Sequence, residues 1–106
     1  MVKRGEVWLA RLDPTEGHEL EKTRPCLVVS PPEIHDHLNV VIVVPMTTAS
    51  HPAPYRIEAS LGEKDGRFLL EQIRTLDKKR LLRRLDAADK HTMTSVLRTL
   101  REMFAE

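Results

Sequence analysis

The sequence contains a single cysteine, Cys26, and four glycines among 106 residues, and no apolar run approaches the roughly 20 residues that cross a bilayer. One cysteine cannot form an internal disulfide. Set in the apolar run Cys26-Leu27-Val28-Val29, it reads as a small core residue rather than a reactive thiol. The opening MVKRGEVW has no apolar signal segment, so the chain is expected in the cytoplasm. There is no Walker loop, dinucleotide fingerprint, cysteine pair or His-Glu-x-x-His. His35-Asp36-His37 offers two imidazoles with no third ligand in view, so neither a metal site nor a cofactor is expected.

Charge of one sign is also missing. Lys and Arg number 17 against 16 Asp and Glu, for a net charge of +1. That balance gives no global case for nucleic acid. The distribution is uneven, however: residues 61–106 hold 11 basic against 8 acidic side chains. Lys78, Lys79, Arg80, Arg83 and Arg84 crowd into DKKRLLRRLD, either a solvated charged segment or a phosphate-contacting patch.

What is present is an ordinary globular composition, 41% hydrophobic and 31% charged, at a length that suits one domain over 1–106. Residues 6–12 alternate as a strand, ended by Asp13-Pro14. A charged loop follows, longer than the two to five residues typical of hairpin loops, and then a strand from Pro25 to Ser30. Pro25 restricts Arg24 to extended backbone, which holds a cation at a strand mouth. Residues 38–46 are apolar on both faces and ask for burial on both. They end in the hydroxyl cluster Thr47-Thr48-Ala49-Ser50. Residues 55–60 and 68–75 read as further strands, with a turn at 62–66. Met93, Val96, Leu97, Leu100, Met103 and Phe104 recur at helical spacing behind Asp86, which is expected to cap the helix. The order predicts a small, mainly antiparallel barrel or coiled sheet with a C-terminal helix.

RGEVW at 4–8, LDPTEGHE at 12–19, KTRPCLVVSP at 22–31, VPMTT at 44–48 and LEQIRTLDKKRL at 70–81 together resemble the MazF/PemK (Kid-like) family of type II toxin–antitoxin endoribonucleases. The resemblance runs through nearly the whole chain, in order. It implies an SH3-like antiparallel barrel of the CcdB/PemK kind with a C-terminal α-helix, assembled as a homodimer. It implies metal-independent, sequence-specific cleavage of single-stranded RNA, leaving 2′,3′-cyclic phosphate and 5′-hydroxyl ends. The RNA then supplies its own nucleophile, and the protein must supply a cation at the phosphorane and proton transfer.

On the family's pattern Arg24 is the catalytic arginine and Thr47 the catalytic threonine. His18, Glu19, Lys22, Thr48, Arg56 and Glu71 are RNA-contacting candidates, joined more loosely by Arg11 and Lys78 to Arg80. Gln72 and Arg74 are expected to tie loop to barrel. Kid-like members carry an arginine three residues before this glutamine, where it can act as general acid; here that position is Leu69. The implied partners are a second copy, single-stranded RNA and an antitoxin whose acidic C-terminal segment blocks the RNA groove. A gyrase poison of the CcdB kind is the alternative of the same fold, and a catalytically lapsed binding module is a third reading.

Overall fold

The computed structural model describes all 106 residues. The strands are β1 (Glu6–Arg11), β2 (Thr23–Val28), β3 (Val40–Thr47), β4 (Arg56–Leu61), β5 (Lys64–Leu69), β6 (Arg74–Asp77) and β7 (Leu81–Ala87). A short helix α1 (Pro32–His35) links β2 to β3, and a terminal helix α2 (Lys90–Met103) follows β7. The sheet order is β4-β5-β3-β2-β1-β7, with β6 also pairing β3, and every pairing is antiparallel. This is the expected mainly β curled sheet with a C-terminal helix. No helix is long and apolar enough to cross a membrane.

The doubly apolar third strand explains the architecture. Alternate residues point to opposite faces of a strand. Val44 and Met46 join one cluster with Val7, Leu27, Phe68 and Leu70, closed by Val96 and Leu100 of α2. Val41 and Val43 join a second cluster with Ala10, Leu12, Cys26, Val28 and Leu76. The sheet must curl to cover both, and β2 and β3 lie at its centre.

Two local expectations are corrected. Residues 68–75 are not one strand. Met46 pairs with Phe68 but Val43 pairs with Arg74, so the partner strand shifts by three residues along β3. The 3₁₀ turn Leu70–Gln72 absorbs that shift. The changeover falls at Val44-Pro45, where a proline lacking an N–H has no partner on that side. The helix is capped by Asp89, whose carboxylate accepts the Thr92 N–H at 2.7 Å, and Asp86 lies in β7 instead. The basic stretch at 78–84 is a 3₁₀ turn followed by edge strand β7, where Glu6 meets Arg84 at 3.1 Å. Arg83 and Arg84, adjacent on that strand, are both exposed, and its register against β1 shifts twice.

Candidate active site

Arg24 and Thr47 meet because β2 and β3 are neighbours. Cys26 pairs with Pro45. Continuing that register two residues outward sets Arg24 opposite Thr47. Paired residues share a face, so Thr47 also shares one with Arg67 of β5, and Arg67 with Glu58 of β4. A row of side chains thus crosses four strands. Pro25 lies inside β2 rather than at its first residue, and is tolerated because pairing to β3 starts only at Cys26.

Arg24 and Thr47 line one cleft of about 200 Å³ with Thr23, Thr48, Leu61 and Lys64. Arg24 is half-buried, and its Nε donates to the Glu21 carbonyl at 3.2 Å. The Glu21 carboxylate is not its partner, and Arg24 takes part in no ion pair. Both terminal nitrogens of the guanidinium are therefore open to an anion in the cleft. Thr47 is 6% exposed, and its Oγ1 accepts the Ala49 N–H at 3.2 Å. With Oγ1 already accepting, the hydroxyl proton is free to donate outward. Thr48 is exposed and also borders an adjoining cleft of about 430 Å³ lined by Glu58, Ser60, Asp65, Gly66 and Arg67.

The long loop between β1 and β2 is held at both ends. Leu12 N–H donates to the Lys22 carbonyl at 2.7 Å and Lys22 N–H to Asp13 Oδ1 at 2.9 Å. Arg80 bridges the carbonyls of Arg11 and Asp13. Farther out, Gln72 accepts the Leu20 N–H at 2.7 Å and donates to the His18 carbonyl at 3.2 Å. Gln72 is thus the tie between barrel and loop, carried on the 3₁₀ turn that the register shift creates.

His18, Glu19 and Lys22 are exposed on this loop and do not line the cleft. Glu19 is engaged locally, accepting the Glu16 N–H at 2.7 Å. Arg56 and Glu71 pair with each other, at 3.0 Å through Nε and 2.6 Å through Nη2. The hydrogen bonds it donates to the Glu71 carboxylate hold the Arg56 guanidinium above its ordinary pKa. Leu69 is 3% exposed and belongs to the core, so this position offers no proton. Lys64 is a cleft cation that sequence reasoning missed. It reads as part of a turn, and only the tight Gly62-Glu63 hairpin brings it to the cleft.

Other chemistry is disposed of by burial. Cys26 is fully buried, and burial pushes its thiol up to about 12 despite the nearby Arg74 charge. A thiolate nucleophile is thereby disfavoured. His35 is buried with Nδ1 2.9 Å from Ser30 Oγ. No three His, Cys, Asp or Glu side chains converge on one point.

The chain matches the family described as "PemK-like, MazF-like toxin of type II toxin-antitoxin system" over residues 3–104. It is 36% identical over 102 residues to the endoribonuclease MazF of Staphylococcus epidermidis, covering 91% of this chain and 85% of that one. The crystal structure of MazF from Deinococcus radiodurans superposes with a TM-score of 0.85 at 26% identity, covering 96% and 94% of the two chains. A mycobacterial endoribonuclease, solved in complex with its cognate antitoxin, shares the fold at a TM-score of 0.78 and 23% identity, covering 96% and 93%. The chain belongs to the PemK/MazF family of type II toxin–antitoxin toxins.

Proposed function

We propose that this protein is a metal-independent, sequence-specific endoribonuclease that cuts single-stranded RNA in the cytoplasm, with Arg24 and Thr47 at the scissile phosphate. One observation carries the reading: an arginine with no carboxylate partner and a threonine with a free hydroxyl proton share one cleft. In the reaction the 2′-oxygen attacks phosphorus and gives up its proton to solvent water at the mouth of the cleft. The bond from phosphorus to the 5′-oxygen then breaks, giving a 2′,3′-cyclic phosphate and a 5′-hydroxyl. Negative charge grows on the non-bridging oxygens, where a bidentate guanidinium and a hydroxyl donor bind more strongly than in the ground state. The leaving 5′-oxygen needs a proton. With Leu69 in the core, Arg24 and Lys64 are the cationic donors of the cleft.

RNA would follow the side-chain row toward Thr48 and the larger cleft, with His18, Glu19 and Lys22 closing over it from the loop and Arg56 and Glu71 at its margin. A second copy completes the groove. The apolar hollow lined by Val29, Ile42, Ile73, Leu97 and Leu100, beside the exposed Phe104, supports such pairing. The antitoxin's acidic C-terminal segment would block the same groove, since it offers carboxylates to the cations that otherwise hold phosphate.

The test is an end-mapping assay on a long single-stranded RNA in excess EDTA. Cyclic phosphate and 5′-hydroxyl ends are expected, and a 2′-deoxy nucleotide at the mapped position should abolish the cut. Intact RNA, or cleavage indifferent to the 2′-deoxy substitution, defeats the proposal.

A further inference from the structure

We propose that Gly66 and Arg67 of β5 are positioning residues for the turn at 47–50, and through it for the Thr47 hydroxyl; this rests on reading that turn as part of an RNA-cleaving cleft. A Cβ added at Gly66 would lie 2.8 Å from the Thr47 carbonyl oxygen, 3.3 Å from its carbonyl carbon and 3.0 Å from Met46 Cε. The first two are backbone atoms and cannot rotate aside. Because the Gly66 φ lies outside the left-handed region, glycine is needed here for space and not for backbone freedom. Ordinary contact begins near 3.4 Å, so any side chain at 66 must push the end of β3 away by about 0.6 Å, against the 2.8 Å present.

Arg67 holds the other end of the turn. It pairs with Thr47 across the strands, and its Nη1 donates to the Ser50 carbonyl at 2.9 Å. Glu58 steadies the same guanidinium at 3.2 Å. Between these two holds the Ala49 N–H reaches Thr47 Oγ1 at 3.2 Å, which fixes the direction of the hydroxyl. The turn is therefore clamped from β5 at both ends. Arg67 performs this by contact with a carbonyl, and Gly66 by the absence of a side chain.

The test compares Gly66→Ala and Arg67→Met with the wild type by RNA cleavage kinetics and by amide hydrogen exchange without RNA. A displacement of this size predicts a kcat loss of about 10-fold with KM within twofold, because a 1 Å misplacement can cost about 100-fold. Exchange at the Ala49 amide should rise about 10-fold beyond any change at the core amide of Val43, as loss of a fixed local hydrogen bond predicts. Should Gly66→Ala fail to fold, Arg67→Met decides alone. An unchanged kcat and Ala49 exchange in a folded variant overturns the proposal, as does a loss confined to KM, which would mean Arg67 grips RNA directly. A wild type that cuts no RNA defeats the functional reading instead, and the exchange arm still decides whether β5 clamps the turn.

Discussion

Replacing Gln72 by alanine should free the long loop without unfolding the barrel. Gln72 makes two hydrogen bonds across the gap, from the Leu20 N–H at 2.7 Å and to the His18 carbonyl at 3.2 Å. Each neutral bond of this kind contributes about 1 kcal/mol net, so the pair favours the docked loop by about 2 kcal/mol. Such a loss multiplies the open population about 30-fold at 25 °C. Leu20 is partly buried against the cluster of Ala10, Leu12 and Cys26, and its release costs little of the rest of the core. Amide exchange at Leu20 should therefore accelerate about 30-fold in Gln72→Ala, while exchange at Val43 changes by less than about threefold. Gln72→Glu provides an internal comparison, because it keeps an acceptor for Leu20 but sets a carboxylate against the His18 carbonyl. Its Leu20 exchange should fall between wild type and alanine. Equal Leu20 exchange in wild type and Gln72→Ala refutes the tie; an equal rise at Val43 would show that Gln72 supports the whole barrel instead.

Asp89→Ala should lower Tm at pH 7 by about 4 °C in thermal denaturation followed by circular dichroism, through loss of the helix cap. The backbone hydrogen bond from Thr92 holds the Asp89 carboxyl below its ordinary value of 3.8, so the stabilisation is present above about pH 4. It is lost as pH falls through the lower folded-state value, and the Tm gap between variant and wild type should close in acid. Cys26, with its thiol pushed up to about 12 and fully buried, should resist a thiol reagent at pH 8 in the native protein and react within minutes once denatured. Rapid native labelling would place Cys26 at the surface.

The sequence made the central strands legible because their pattern has one solution. Val41 to Met46 cannot be apolar on both faces of a strand unless both faces are covered, and two clusters cover them. Arg24 and Thr47 were legible as site candidates through KTRP and VPMTT, which match the family's pattern; Pro25 and the end of the apolar run indicated only that each sits at a strand mouth. Both lie in one cleft. The break at Leu70–Gln72 was hidden, since FLLEQIRT has continuous strand character and only the differing registers against β3 reveal the inserted turn. Asp86 and Asp89 are both competent caps by residue type, and the choice between them depends on where β7 stops pairing with β1. Lys64 and Gly66 were illegible for a different reason. Their roles come from contacts across the sheet, to the cleft and to the Thr47 carbonyl, that local patterning does not encode.

The central claim is that the unpaired Arg24 guanidinium stabilises a phosphorane. Its most direct test is the single-turnover cleavage rate of an RNA oligonucleotide carrying the mapped site, in EDTA, for wild type, Arg24→Lys and Arg24→Ala. Two charge-assisted hydrogen bonds made in the transition state predict a loss of about 100-fold or more for alanine. Lysine should recover only part of it, because an ammonium cannot hold two phosphate oxygens in one plane. RNA binding by all three proteins should agree within about threefold if the interaction belongs to the transition state. Cleavage by Arg24→Ala at the wild-type rate would contradict the account.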